Sequence, residues 1–356
     1  MGTNLLPPVR DGRIDATRAI AIVLVVLGHA RGIPHAYTLL AFSFHVPLFF
    51  FISGWVAIAY GRPRGDADTW RQLARTLLVP YVFFFFVAYA YWLLTRDMGA
   101  KALRWGERPW WEPLAGLLAG NGPGLYVQPA LWFLPALFTT ALAFHYLRKH
   151  LAPGLLAVLA ALLAWAWIAG FAPLGMRLPW GLDVLPVSLF FFACGGALAG
   201  FGQALPRGRF VGVALTLLVA SLWLPLAWHN GKVDMNRMQF GDSTLLFLLG
   251  ALLGTAMTMG VAGWIARWPG VQWIGRNTLL ILCTHFLVFF VLSGLRSLAG
   301  LHGEPSAGWA LFVSAFALAA AVPMRWCLMR LAPWTLGARR TPAAVVPPSM
   351  PEIRPQ

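Results

Sequence analysis

Ten apolar stretches, each long enough to cross a lipid bilayer, follow one another along this chain of 356 residues. A transmembrane helix needs roughly 20 apolar residues, because each residue adds only about 1.5 Å to its length. Backbone groups inside lipid must bond to one another, so spans of this length are expected to be helical. We therefore predict an all-α integral membrane protein, a bundle of about ten transmembrane helices. The predicted spans are residues 14–31, 38–60, 74–95, 128–147, 152–171, 183–201, 210–228, 243–265, 272–294 and 307–331.

The composition agrees with this class and excludes several others. Hydrophobic residues make up 59% of the chain and charged residues 11%, whereas about a quarter of a soluble domain is charged. A net charge of +15 would suggest nucleic acid in a soluble protein. In a membrane protein, Lys and Arg set orientation and meet anionic lipid headgroups. We expect membrane lipids as partners and no nucleic acid, and the sequence carries no signal of an oligomeric state.

The distribution of basic residues predicts how the bundle is oriented. With the N-terminus inside the cell, eighteen of the 27 Lys and Arg residues fall on the cytoplasmic side. Such a bias favours a cytoplasmic N-terminus, and an even number of spans then places the C-terminus inside as well. Residues 1–335 are predicted to form one membrane domain. Residues 336–356 are Pro-rich and are predicted to be a disordered tail.

Two external connections carry side chains of interest. The longest, residues 96–127, contains Trp105, Trp110 and Trp111. It suits either a segment that lies on the membrane surface or a cover over a sugar-binding mouth. A polar cluster before the eighth span suits either a solvated loop or hydrogen bonding to a sugar. The cluster consists of Asn230, Asp234, Asn236 and Asp242.

Motifs for metals and nucleotides do not appear in the sequence. Cys194, Cys283 and Cys327 lie singly in apolar segments, so free buried thiols are expected and no metal site is predicted. No Walker-type Gly-Lys-Ser/Thr loop or dinucleotide fingerprint is present. We predict no permanently bound cofactor.

The first span contains a cation and an imidazole, which are both costly in a lipid-spanning segment. Arg18 and His29 are eleven residues apart, so along a helix they are separated by about 16 Å and lie on nearly the same face. Asp15 is three residues before Arg18 and could pair with it on that face. The alternative is that Asp15 and Arg18 are ordinary interfacial residues that fix the depth of the span.

Two further histidines lie inside predicted spans. His45 begins the second span, and the short connection from His29 could bring these two imidazoles together. His285 follows Arg276 by nine residues in the ninth span, about 13 Å farther along a helix. Each histidine is either a hydrogen-bonded core residue or part of a site. Gly275 and Asn277 resemble a helix-entry turn with a capping side chain.

These residues resemble the motifs of the membrane-bound acyltransferase family 3. Each motif is mostly apolar and weak alone, but the five occur in the family's order and spacing. Val46 stands where Met is common in the family, and Thr278 where Ser is common. The motifs are Arg18-x10-His29, Phe44-His45-Val-Pro-Leu-Phe-Phe-Phe-Ile-Ser-Gly54, Arg75-Thr-Leu-Leu-Val-Pro80-Tyr81, Trp132-Phe-Leu134, and Ile274-Gly-Arg-Asn-Thr278 through His285.

Within that family the chain is similar to the short group of fucose 4-O-acetylases and xanthan mannose acetylases. The resemblance implies transfer of an acetyl group from cytoplasmic acetyl-CoA to a sugar hydroxyl of an exopolysaccharide repeat unit. The acceptor would be polyprenyl-linked or polymeric, and the protein would lie in the bacterial cytoplasmic (inner) membrane.

A histidine suits this chemistry as a general base or as a transient acyl acceptor, and the sequence leaves both open. Arginine suits the phosphates of CoA. The candidate residues are His29 and His45 for catalysis, Arg18, Arg75 and Arg276 for binding CoA, and His285, Asn277 and Trp132 for binding the substrate.

Two other functions are compatible with part of the sequence. A sugar-lipid transporter or flippase would need a polar path and charged residues in several helices, whereas spans five to eight are nearly free of charge. A non-catalytic subunit of an envelope-polysaccharide assembly would make the alignment of Arg18 and His29 incidental. Neither explains that alignment, so an acyltransferase is the favoured interpretation.

Overall fold

The computed structural model describes residues 11–98, 100–200, 209–301 and 303–337, and the chain is helical through most of them. Within these ranges the helices are α1 (Gly12–His29), α2 (His35–Phe42), α3 (His45–Ala59), α4 (Asp66–Leu73), α5 (Val79–Thr95), α6 (Ala100–Trp105), α7 (Glu112–Ala119), α8 (Phe133–Leu147), α9 (Pro153–Gly170), α10 (Leu185–Gly200), α11 (Arg209–Asn230), α12 (Thr244–Ile265), α13 (Pro269–Arg276), α14 (Thr278–Leu298) and α15 (Ala307–Leu331). A π-helical turn, Ala74–Leu78, joins α4 to α5. Short strands β1 (Val233–Asp234) and β2 (Gln239–Phe240) pair antiparallel.

The predicted class, an all-α membrane bundle, is confirmed. Among the described residues, eight helical stretches are long and apolar enough to cross a membrane. The 18-residue α1 and the shorter apolar α10 bring the total to the predicted number of about ten. The orientation of the termini stays a prediction. Most of the predicted tail, residues 338–356, lies outside the described residues.

Two predicted spans are interrupted, each at a residue whose backbone angles are not helical. The second span breaks between α2 and α3 at Phe44, whose φ of −146° and ψ of −16° are not helical. The ninth breaks at Asn277, with φ −112° and ψ 20°. The helix before that break, α13, is amphipathic and ends in Arg276, so it suits an interface better than a hydrocarbon core. An apolar run alone does not distinguish one continuous span from two helices.

The first helix lies at the centre of the bundle. It contacts α2, α3, α12, α13, α14 and α15, and its residues Ala16, Ala21, Ile22 and Val26 are fully buried. Asp11 begins the helix by accepting a hydrogen bond from the backbone N–H of Arg13 at 2.9 Å. A helix enclosed in this way can carry polar side chains on one face without exposing them to lipid.

Helices α3 and α10 pack closely through glycines. A Cβ at Gly54 would lie 1.8 Å from the carbonyl oxygen of Phe192, and one at Gly195 would lie 1.9 Å from that of Phe51. Small residues allow backbones in a membrane bundle to approach, which strengthens van der Waals packing between helices. The pair α3–α10 therefore depends on the absence of side chains at both positions.

We expect Gly54→Ala to destabilise the protein. The added methyl group would force α3 and α10 apart, and overpacking of this kind costs about 1–3 kcal/mol of unfolding free energy. The measurement is the apparent melting temperature in detergent. The control is Gly250→Ala in α12, where an added Cβ meets nothing within 4 Å. Equal melting temperatures for the two variants would contradict the packing argument.

Candidate active site

A cavity of about 1240 Å³ runs beside α1. It is larger than the roughly 300–1,000 Å³ of an ordinary ligand pocket, so two ligands fit in it more readily than one small molecule. On α1 the lining residues are Arg18, Ile22, Val25, Gly28 and His29. Their spacing follows the helical repeat, and Arg18 and His29 therefore share one wall.

His29 forms a pair with His285 of α14. Nδ1 of His29 lies 3.2 Å from Nε2 of His285, and the two rings are nearly parallel, with an interplanar angle of 16°. His285 is fully buried, and its Nδ1 lies 2.9 Å from the carbonyl oxygen of Ile281. Within the described lining, His29 borders the cavity and His285 does not. His285 therefore stands behind His29.

The hydrogen-bond partners assign the tautomers of this pair. A carbonyl oxygen only accepts, so Nδ1 of His285 carries the proton that it donates to Ile281. In a neutral imidazole the other nitrogen then has a free lone pair, and Nε2 of His285 accepts from Nδ1–H of His29. His29 is thereby left with an unprotonated Nε2, the nitrogen not engaged by His285. This arrangement presents a proton acceptor beside the cavity.

His45 also lines the cavity, but it has a different partner. Its Nδ1 lies 2.9 Å from the carbonyl oxygen of Ala41, and its ring packs against Phe42 with centroids 4.7 Å apart. This hydrogen bond spans the break between α2 and α3, where the helical ladder is interrupted. The sequence predicts that His29 and His45 lie close together, and both border this cavity, but the hydrogen bond of His29 goes to His285 of α14.

One end of the cavity is basic. It lies at the Arg18 end of α1, where the chain leaves α3 and α8, and the described residues there supply no acidic side chain to the lining. Arg276 is held at this end by Asp15, whose carboxylate lies 3.2 Å from its Nε. Gly275 allows the close approach, since a Cβ there would lie 1.9 Å from the carbonyl oxygen of Asp15. The arginines of this end are Arg18, Arg62, Arg64, Arg148 and Arg276.

The other end, near His29, is covered by the hairpin that β1 and β2 form. Its residues 232–237 line the cavity, together with His35 and Thr38 of α2 and Trp132 before α8. Burial of Asp234 raises the pKa of its carboxyl group, and the nearby positive charges of Arg237 and Lys232 oppose this effect. Within the described lining, Asp234 is the only acidic residue.

Residues 96–127 do not reach the cavity in the part of the chain that the structure describes. They pack against the tip of the hairpin instead: a Cβ at Gly122 would lie 1.6 Å from the side-chain oxygen of Asn236. Trp105 stacks on Tyr126 with ring centroids 4.8 Å apart. The hairpin, rather than this long connection, is therefore the cover of the cavity.

Comparison with known families decides between the interpretations. A family model described as an acyltransferase domain matches residues 11–326, nearly the whole of the described chain. The chain belongs to acyltransferase family 3. No curated protein and no solved structure matched the chain. The cavity beside α1 is thus the candidate active site of a membrane acyltransferase.

The acyltransferase places some of the predicted site residues in its cavity and others outside it. Arg18, His29, His45, Trp132 and Arg276 line it. Three others do not line it, and each has a partner elsewhere. These are Arg75, which donates to the carbonyl oxygen of Gly337 at 3.0 Å, Asn277, which donates to that of Trp273 at 2.7 Å, and His285, which pairs with His29.

These three residues have protein partners in the structure. Arg75 bonds to the chain after α15, Asn277 ties α14 to the end of α13, and His285 holds His29 from behind. Their expected roles in binding CoA and the acceptor stay predictions. Arg62, Arg64 and Arg148 also line the cavity, and in the sequence they count only among the basic residues that predict orientation. In the sequence these arginines are recognisable only as basic residues that follow the ends of predicted spans. The tertiary fold shows that the ends of α3 and α8 meet at the cavity.

We expect nitrogen NMR of ¹⁵N-histidine-labelled protein to show His29 protonated at Nδ1 and not at Nε2. Replacing His285 with Phe keeps an aromatic ring but removes the acceptor, so the His29 signals should shift toward a mixture of tautomers. His29→Gln assigns the signals, and His150→Gln, at an exposed position after α8 that does not line the cavity, is the control. An unchanged His29 tautomer in His285→Phe would contradict the assignment.

Proposed function

We propose that this acyltransferase is an O-acetyltransferase that moves an acetyl group from cytoplasmic acetyl-CoA to a sugar hydroxyl. The acceptor would be an exopolysaccharide repeat unit or its lipid-linked precursor. One observation carries the proposal: a single cavity joins a cluster of arginines at one end to an unprotonated imidazole nitrogen near the other. Membership of the family supports acyl transfer, and the resemblance to sugar acetylases supports the acceptor.

The arginine end suits the nucleotide part of CoA. Arg18, Arg62, Arg64, Arg148 and Arg276 surround this end, and guanidinium groups bind phosphate oxygens through paired, charge-assisted hydrogen bonds. With the N-terminus inside the cell, this end faces the cytoplasm, where acyl-CoA is made. The separation of about 16 Å between Arg18 and His29 suits the long arm between the phosphates and the thioester of CoA.

His29 performs the proton transfer in this proposal. Its Nε2 takes the proton of the sugar hydroxyl as the oxygen attacks the thioester carbonyl carbon. The new C–O bond forms, the C–S bond breaks, and the proton passes from Nε2 to the departing sulfur of CoA. General-base catalysis of this kind contributes on the order of 10² to 10⁴ in rate. His285 holds Nδ1 of His29 and so keeps Nε2 directed to the reaction.

We expect His29→Ala to abolish acetylation without affecting membrane insertion. The host strain lacking the protein is complemented with wild type or variant, and proton NMR of its surface polysaccharide reports the O-acetyl methyl signals. Loss of one signal on deletion, restored by wild type and not by His29→Ala, is the expected result.

Two outcomes would count against the proposal. Restoration of the signal by His29→Ala at equal protein level would remove His29 from catalysis. A deletion strain that keeps every O-acetyl signal but accumulates lipid-linked sugar on the cytoplasmic face would favour the alternative function, a sugar-lipid flippase.

We expect Arg148→Gln to weaken binding of acetyl-CoA by about tenfold, because a charge-assisted hydrogen bond contributes about 1.5–3 kcal/mol. The measurement is retention of labelled acetyl-CoA by protein in nanodiscs, repeated at several salt concentrations. The matched control is Arg71→Gln, which removes a charge that is exposed on α4 and does not line the cavity. Equal losses in both variants would show that overall charge, not the cavity, binds the donor.

A further inference from the structure

The hairpin at the His29 end is a fixed structure. Asn230, at the end of α11, donates from its side chain to the carbonyl oxygen of Phe240 at 3.0 Å and accepts from the backbone N–H of Ser243 at 3.0 Å. Arg177 donates to the backbone oxygen of Asn236 at 2.8 Å and is itself held by the buried carboxylate of Asp183 at 2.5 Å. The hairpin is therefore tied to the bundle at both ends and at its tip.

Residues 232–237 of the hairpin all border the cavity. Val233 and Met235 are buried in the hydrophobic core of the bundle and hold the hairpin in place. Asp234 and Asn236 are the partly buried polar residues among the six, and the amide oxygen of Asn236 has no hydrogen-bond partner among the described residues. A carboxylate and an amide at this spacing can each bond to a separate hydroxyl.

Asp234 has unused capacity for hydrogen bonding. Its carboxylate pairs with Arg237 at 3.5 Å, where the guanidinium is largely exposed, and accepts hydrogen bonds from the backbone N–H groups of Asn236 and Arg237. An ionised carboxylate has about four acceptor positions, so Asp234 can accept further hydrogen bonds from hydroxyl groups. Within the described lining no other acidic residue competes for such groups.

We propose that Asp234 and Asn236 form the acceptor subsite of this enzyme, where they bind neighbouring hydroxyls of a pyranose and present a third hydroxyl to His29. The inference rests on the proposed function, since it assigns the second substrate of the same cavity. The hairpin contacts α2, which follows His29 after a short turn, so the subsite lies at the end of α1 that carries the imidazole. Trp132 borders the same end from the start of α8.

The test separates the two substrates. Protein in nanodiscs receives acetyl-CoA labelled in the acetyl group and a panel of acceptors: the methyl α-glycosides of mannose, glucose, galactose and fucose, and the host's alkali-deacetylated surface polysaccharide. We expect Asp234→Asn and Asn236→Ala each to raise the KM of the best acceptor about tenfold or more. Retention of labelled acetyl-CoA should be unchanged. Gln239→Ala is the control, because Gln239 is exposed on the same hairpin and does not line the cavity.

Each result decides between the inference and the function on which it rests. If wild type acetylates an acceptor and neither variant changes its KM, the subsite is wrong and the transferase stands. If wild type binds acetyl-CoA but acetylates no acceptor, a sugar is not the second substrate. If wild type does not bind acetyl-CoA, the proposed function fails and the subsite with it. If a variant also retains less labelled acetyl-CoA, or has a lower melting temperature than wild type, it is replaced by Asn236→Asp. This substitution keeps the size of the side chain but removes the amide donors.

Discussion

The structure depends on the cost of placing polar groups in the centre of a membrane bundle. A cation and an imidazole on an apolar helix are tolerated only where protein or water, rather than lipid, surrounds them. Helix α1 meets this requirement because six other helices contact it, and its polar face opens into one cavity. The close approach at Gly275 brings the backbone of α13 against that of α1. The cavity is therefore a consequence of how α1 is packed.

The cavity is asymmetric, and this asymmetry orders the proposed reaction. Its arginine end attracts anions, while its hairpin end combines Lys232 and Arg237 with a carboxylate and an amide that suit neutral hydroxyl groups. His29 lies nearer the second end, so a donor with distant phosphates and an acceptor with hydroxyls would meet at the imidazole from opposite directions. A transporter that used the same space would have to move one ligand past both ends, and the different groups at those ends disfavour such a path.

The sequence predicts the parts of this site that depend on local spacing. Apolar run lengths predict the spans, and the helical repeat predicts that Arg18 and His29 lie on nearly the same face of one helix. The features of the site that the sequence does not predict depend on contacts between distant segments of the chain. The partner of His29 is 256 residues away, and Arg62 and Arg148 follow different spans. Strands of two residues, as in β1 and β2, are too short to produce a periodic signal. Arg75 was predicted at the site because it belongs to a family motif, yet its side chain bonds to Gly337.

The free-energy cost of burying charge in a membrane bundle also explains why an imidazole, that of His285, orients His29. In many hydrolases a buried carboxylate holds the catalytic imidazole in the required tautomer, but burying an ion in a membrane interior requires compensating partners. A neutral imidazole that donates to Ile281 and accepts from His29 fixes the tautomer without a buried charge. It stabilises an imidazolium less than a carboxylate would, so a long-lived charged His29 is disfavoured. Proton removal from the sugar, attack on the thioester and protonation of the leaving sulfur should therefore be closely coupled.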